Sequence, residues 1–445
     1  MHSIPKAAEP LLREFVPIFT RPTYQRFVIL LLAAILTTGR RTVTNLLRTA
    51  GHLAPGHPSS YHSVFSRRHW SSWRLARALI GFVLRRWVPQ GPVFLCGDDT
   101  VDEHRGAKVY GKACHRDAVR STHSFTAFRW GHKWVVLAIL VKFPFSTRLW
   151  ALPVLVALYR SKEWNQKHRR RHKTPSQLMR QLLAVMIRWF PERNFVFSGD
   201  GGFGTHELAR FAHRRGLTLI SRFYPDANLY AAPATGSRKV GRPRKRERKM
   251  PSPAQVVKRS KRTRLTVRWY GGGQRRVESV TGTAHWYKNG EGLVAVRWVF
   301  VHDCSGTHRD EYFFTTDTDM TPKATIETFT GRWSIETTFQ EMREYLGLET
   351  TRGRSEATVL RAAPCLFGLY SVVAVLYADL PARRTDRIGV LWPGKTERTF
   401  SDAITAVRRW LWLEWIFATP RHYTAFSKLS RATRNVLLYA LAPAA

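Results

Sequence analysis

The segment FTGRWSIETTFQEMR spaces Phe329, Arg332, Glu336 and Arg343 at steps of three, four and seven residues. At helical periodicity those four share one face. A carboxylate set between two guanidiniums can offer oxygen to a hard divalent cation while the arginines hold phosphates. That is a surface for phosphoryl transfer, provided that further acids join it. Taken alone, the segment reads equally well as a solvated amphipathic helix with ordinary charge pairs.

Two upstream segments supply acids. In VFLCGDDTVDE (Val93 to Glu103) a short apolar run stops at Asp98 and Asp99, with Asp102 and Glu103 close behind. In NFVFSGDGGFG (Asn194 to Gly204) a second run of strand length ends at Asp200 in a glycine-rich turn, before Thr205, His206 and a helical pattern. A lone Asp after a strand is commonly a turn or cap residue. Carboxylates at the ends of neighbouring strands can nevertheless converge on one point. Two Asp and one Glu suit two divalent ions about 4 Å apart, which activate the attacking oxygen and stabilise the leaving one at phosphorus.

On these residues the chain resembles the bacterial insertion-sequence transposases of the DDE superfamily, in the branch whose RNase H-like core carries a β-rich insertion before the Glu helix. The resemblance spans roughly Val93 to Ala378. The branch's third segment reads Tyr, two residues, Arg, three residues, Glu, six residues, Lys. Here Phe329, Arg332, Glu336 and Arg343 stand at that spacing, with two conservative departures. Asp200, Gly201 and Phe203 match the second segment, and Asp98 with Thr100 matches the Asp-x-Thr of the first. The neighbouring Asp99 leaves the choice of first ligand open.

The resemblance implies that Asp98, Asp200 and Glu336 are catalytic and bind two Mg²⁺ or Mn²⁺ ions, with Asp98 bridging them. Arg332 and Arg343 would hold DNA phosphates near the scissile bond. It further implies a cut-and-paste transposase that exposes 3′-hydroxyls at terminal inverted repeats and joins them to target DNA, working as a homodimer. Two other readings stay open: a transposase-derived DNA-binding protein that no longer cuts, and an RNase H-like nuclease without strand transfer.

Composition points independently to a polyanionic partner. Lys and Arg total 72 against 31 acids, a net charge of +41. Such an excess repels itself unless a polyanion offsets it. Double-stranded DNA fits, and neutralising ~10 phosphates makes affinity fall by about 10⁵ between 50 and 200 mM salt. Cys96, Cys114, Cys304 and Cys365 are far apart, with no CxxC pair and no His-rich metal spacing, so neither a zinc site nor a disulfide framework is expected. The longest apolar runs, Phe27 to Leu36, Trp134 to Val141 and Cys365 to Tyr377, are shorter than the roughly 20 residues that span a bilayer. The expectation is therefore core helices and strands, no membrane, and a cytoplasmic protein that joins the nucleoid when bound.

The elements that must position these acids follow from patterning. Residues 1–90 read as a helical DNA-binding or dimerisation domain, with helical periodicity in Leu11 to Phe19 and Tyr24 to Leu36. Thr42 to Ala50 and Ser59 to Ser66 form either a helix-turn-helix-like pair, with Arg67, Arg68 and His69 near DNA, or part of a plain bundle. Residues 91–225 read as the first part of an α/β, RNase H-like core. In it a strand ends at Asp98, strands occupy Ser124 to Arg129 and Lys133 to Val141, and helices fit Ser176 to Phe190 and Glu207 to His213. Lys112 and Arg116, in the basic stretch after the first acid, are expected as phosphate contacts.

Residues 226–320 hold a basic loop and a β-rich insertion. Arg242, Arg244, Lys245 and Arg246 lie in GSRKVGRPRKRERKMPSP, whose Gly241 to Arg244 resembles an AT-hook for a narrow A·T minor groove. Leu265 to Tyr270, Arg276 to Val280 and Leu293 to Val301 read as strands, and Tyr312 to Thr316 as the strand returning to the core. Trp286 and Trp298 are read as sheet packing ahead of base stacking. Residues 321–382 resume the core, with Thr321 and Pro322 opening the helix that carries Glu336. Residues 383–445 read as a helical region with a Trp-rich stretch at Ala403 to Trp415.

Overall fold

The computed structural model describes every residue except 1–3, 118–120, 123, 233–245, 382–394, 396 and 444–445. Among the described residues eleven strands join in one sheet: β1 (Val93–Glu103), β2 (Ala113–Arg116), β3 (Phe128–Val141), β4 (Trp150–Tyr159), β5 (Phe195–Gly199), β6 (Thr218–Arg222), β7 (Leu229–Tyr230), β8 (Thr263–Arg268), β9 (Gln274–Lys288), β10 (Gly292–Asp303) and β11 (Glu311–Thr315). Their order is β2-β3-β1-β5-β6-β11-β10-β9-β7, with β4 also on β3 and β8 on β9. β1, β5 and β6 run parallel, and β3 lies antiparallel to β1. This is the RNase H-like arrangement. Its central strand β5 is buried throughout, as parallel strands covered on both faces must be.

β1 does not end at Asp98. Its parallel pairing with β5 stops at Gly97 and Gly199, but its antiparallel pairing with β3 continues to Glu103. Asp98 therefore lies inside a strand, at the point where one neighbour leaves. The strand predicted at Ser124 to Arg129 is likewise corrected: residues 124–127 are outside any strand, and Phe128 to Val141 form one continuous β3. Its first residues pair with β2 and its later ones with β4. β4 has no strand signal in its turn chemistry and contains Pro153, which an edge strand tolerates because its N–H would otherwise point outward. The register shifts at Leu137 and Ala138, beside that proline.

The two faces of β1 meet different helices. Gly97 lies against Met179 of the Pro175–Trp189 helix and Phe197, so tightly that a Cβ there would fall within 2.4 Å of the Met179 Cε. Asp98 and Thr100 face the Ser334–Leu346 helix. The 24-residue helix Glu356–Asp379 is long and apolar enough to cross a membrane, yet 67% of its most apolar window is buried inside the protein. It packs on β4, with the Ser371 hydroxyl donating to the Pro153 carbonyl at 2.7 Å.

The helices Arg21–Leu36, Val43–Ala50, Pro58–Ser66 and Ser72–Trp87 share the principal core with the sheet and with the helix Phe400–Leu411. The predicted helix over Leu11 to Phe19 is shorter: Glu9–Arg13 is helical and Val16–Ile18 is a 3-10 turn, with Pro17 at its start. At the other end, Phe400 stacks on Tyr370 with centroids 4.2 Å apart, so the Trp-rich C-terminal helix packs on the core. The insertion strands are longer than the sequence pattern marks, and Trp286 and Trp298 are buried within it. Antiparallel pairing of β11 with β6 makes the insertion a continuation of the core sheet.

Candidate active site

Three elements bring their acids to one guanidinium. Asp98 comes from β1, Asp200 from the turn after β5, and Glu336 from the first turn of the Ser334–Leu346 helix. Gly97 pairs with Gly199, so Asp98 and Asp200 each stand one residue beyond the last paired position of adjacent strands, which run about 4.8 Å apart. Arg332 donates to Asp98 Oδ2 at 3.1 Å and to Glu336 Oε1 at 3.1 Å. Burial works against the Arg332 charge, but Asp98, Glu336 and Asp200 more than offset it and raise its pKa. Its Nε makes no hydrogen bond.

Asp98 is the perturbed acid. Burial first, then the repulsion of Asp200 and Asp99, push its carboxyl up to about 7 against the opposing pull of Arg332. The Asp99 carboxyl is also raised by burial, with Lys133 opposing. Alternation along β1 separates these neighbours: Asp98 faces the Glu336 helix, whereas Asp99 turns to the other face and pairs with Lys133 at 2.9 Å. Lys133 stands just before the apolar run Trp134 to Val141, and only the strand register reveals its partner.

Asp200 is held by its turn. Its Oδ1 accepts from the Gly202 N–H at 3.0 Å, and the Ser221 hydroxyl on β6 donates to its carbonyl at 2.6 Å. Gly204 is required for close approach, since a Cβ there would lie 2.7 Å from the Arg222 carbonyl. Thr205 then caps the helix His206–Arg215.

The predicted single helix through Arg332 and Glu336 is two. Thr321 caps Pro322–Gly331, and a second helix starts at Ser334. Between them the Arg332, Trp333, Ile335 and Glu336 amides all bond three residues back, tightening the chain into a 3-10 turn. The four motif residues therefore do not line one regular face. Phe329 is fully buried in the smaller core against Phe313, with centroids 4.2 Å apart, and Arg332 lies over its ring. Arg343, further along, donates to the Thr100 hydroxyl at 2.5 Å and pairs with Glu349 at 3.4 Å. Two buried arginines fix the far end of this helix: Arg41 and Arg408 both donate to the Tyr345 carbonyl, at 2.5 and 3.2 Å. Burial, then repulsion by Arg408, push the Arg41 guanidinium down to about 9. Neither arginine stands in a motif, and their role follows only from the packing of chain ends against the Glu336 helix.

The basic residues predicted as DNA contacts are dispersed. Lys112 lies over the Trp130 ring, 5.5 Å from its centroid, and Arg116 is exposed on β2. Arg246 donates to the Tyr230 hydroxyl at 3.0 Å and lies over Tyr287. Arg242, Arg244, Lys245 and the AT-hook-like Gly241 to Arg244 lie outside the described residues. In the N-terminal pair of short helices, Arg67, Arg68 and His69 are exposed at the end of the second.

Among known families, the model described as DDE superfamily endonuclease matches residues 14–276, more than half of the chain. The match includes Asp98 and Asp200 and ends before Arg332, Glu336 and Arg343. A search of curated protein sequences returned no match.

Proposed function

The chain belongs to the DDE superfamily endonuclease family, and on that premise we propose that it is a DNA transposase, cleaving at the ends of a mobile element and joining the freed 3′-hydroxyls to target DNA. The observation that carries the reading is the convergence of Asp98, Asp200 and Glu336 on Arg332 from three separate elements. Carboxylate oxygens are the donor set of Mg²⁺ or Mn²⁺, and the Asp98 carboxyl, raised first by burial and then by Asp200 and Asp99, is a group whose ionised form such cations would stabilise. Asp98, Asp200 and Glu336 fit such ions and would hold them, and divalent cations bound there would supply Lewis-acid activation of the attacking and leaving oxygens.

The protein's own groups do the positioning. Arg332 offsets the repulsion between Asp98 and Glu336 and sets their separation. The partly exposed Arg343 is suited to non-bridging phosphate oxygens. Lys112, Arg116 and the basic segment through Arg242, Arg244, Lys245 and Arg246 extend the contact along duplex DNA, consistent with the net charge of +41. Two element ends held together call for a homodimer, and such chemistry belongs with the nucleoid in the cytoplasm.

The test uses labelled candidate ends and a target plasmid, with Mg²⁺ or EDTA, beside Asp200→Ala and Glu336→Ala. Metal-dependent cleavage with joined product, lost in both variants, supports the transposase. Cleavage without joining replaces it by a nuclease, and salt-sensitive binding without cleavage by a non-cutting DNA-binding protein.

A further inference from the structure

β1 carries a second buried carboxylate on the same face as Asp98. Asp98, Thr100, Asp102 and His104 alternate along that face, and His132 on β3 stands directly opposite Asp102. Asp102, His104 and His132 are 0%, 4% and 2% exposed, and one ligand atom from each lies within 4.8 Å of the other two. His104 Nε2 is 3.2 Å from Asp102 Oδ2, and His132 Nδ1 is 3.7 Å from Asp102 Oδ1. Around a tetrahedral ion with ligands at 2.0–2.1 Å, donors stand about 3.4 Å apart, and the two imidazole nitrogens approach the two different oxygens of this carboxylate at comparable distances.

The tautomer of His132 gives an independent pointer. Its Nε2 lies 2.7 Å from the Tyr110 carbonyl, which only accepts, so Nε2 carries the proton. With Nε2 donating to that carbonyl, Nδ1 of the neutral ring carries the lone pair and faces the Asp102 carboxylate across 3.7 Å, acceptor against anion. A cation between them turns that repulsion into two bonds. A ligating His whose other nitrogen donates to a backbone carbonyl is the arrangement that orients metal ligands.

We propose that Asp102, His104 and His132 bind a borderline transition-metal cation of the Zn²⁺ class, at a site separate from Asp98, Asp200 and Glu336. Three protein ligands leave a fourth position for water or another donor. The alternative is an all-protein network, since Asp102 also accepts from the Trp134 indole at 3.2 Å and the His132 amide at 3.0 Å. Access exists from two sides: His132 lines a cavity of about 510 Å³ and His104 one of about 610 Å³. At about 3.3 Å per residue, the site lies about 13 Å along the strand from Asp98. It ties β1 to β3 where β5 no longer supports β1. The sequence expectation of no zinc site rested on local spacing, whereas these ligands are joined by strand register. The inference does not depend on the transposase reading.

The experiment is a Co²⁺ titration of the untagged full chain carrying Asp200→Ala and Glu336→Ala, which removes the Asp98–Asp200–Glu336 group as a competing site. We expect one equivalent of Co²⁺ with the intense visible absorption of a four-coordinate ion, displaced by Zn²⁺, and affinity at least about tenfold weaker in His104→Gln and in His132→Gln. Absence of that absorption in the folded parent overturns the proposal, whatever the His variants do. So does an unchanged titration in a folded His104→Gln protein.

Discussion

Asp98 and Asp102 are four residues apart on one face of one strand, yet their surroundings ask for different chemistry. Asp98 faces a guanidinium and is near two further carboxylates, all of them hard oxygen donors around a strong positive charge. Asp102 faces two imidazoles and an indole, and its oxygens accept from the Trp134 indole and the His132 amide. The strand supplies the same residue type twice. What differs is the facing element: a helix terminus that brings Arg332 and Glu336 in one case, and strand β3 with His132 in the other. A carboxylate on a strand therefore has no chemistry of its own until register and packing choose its neighbours.

The sharpest way to break this comparison is to remove acids singly. Asp98→Asn, Asp200→Ala and Glu336→Ala are each expected to lower DNA cleavage by about 10³-fold or more, the range seen on losing an essential group. Asp99→Asn, on the opposite face beside Lys133, should stay within about tenfold of the parent. Equal losses for Asp98 and Asp99 in single-turnover cleavage would show that the face argument fails.

The next largest effect is on stability. Gly131 packs so closely that a Cβ would stand 1.8 Å from the Asp102 carbonyl, which is backbone and cannot swing aside. Gly131→Ala should cost about 3 kcal/mol or more and separate β1 from β3 at the Asp102 end. Denaturant unfolding measures the loss, and a change below about 1 kcal/mol would mean that the two strands are less tightly joined than described.

A third contrast is pH. With the Asp98 carboxyl pushed up to about 7, protons compete with cations there, and its ionised fraction rises about tenfold between pH 6 and pH 8. Apparent Mg²⁺ affinity, read from the Mg²⁺-induced rise in Tm, should therefore increase with pH by up to about tenfold. It should flatten above pH 8. The smallest effect is expected from Lys112→Ala and Arg116→Ala: each should weaken DNA binding without changing sequence preference and reduce the salt slope by about 1.

Much of the acid site was legible because its signals are local. Asp200 follows a fully buried, largely apolar strand at a glycine turn, and the spacing from Arg332 to Glu336 survives as a bonded pair. What was not legible depends on partners distant in sequence. The choice between Asp98 and Asp99 needs the register against β3, and so does the pairing of Asp102 with His132. β4 was invisible because Pro153 argues against a strand unless the strand is known to be at an edge. The 3-10 turn at Arg332 leaves no mark in the pattern, since residues three or four apart look alike on either helix. Arg41 and Arg408, which hold the Tyr345 carbonyl, belong to opposite ends of the chain and could be joined to the site only by the fold.

The pairing of β11 with β6 has a mechanical side. Phe313 to Thr315 bond to β6, and the Thr316 amide adds a bond to Leu219, one strand away from Asp200. The insertion is thus a lever welded to the sheet that positions Asp98 and Asp200 rather than a flap on a hinge. A load applied at its far strands is borne as torsion of the whole sheet, so whatever the insertion grips is indexed in angle and distance to the strand that carries Asp200.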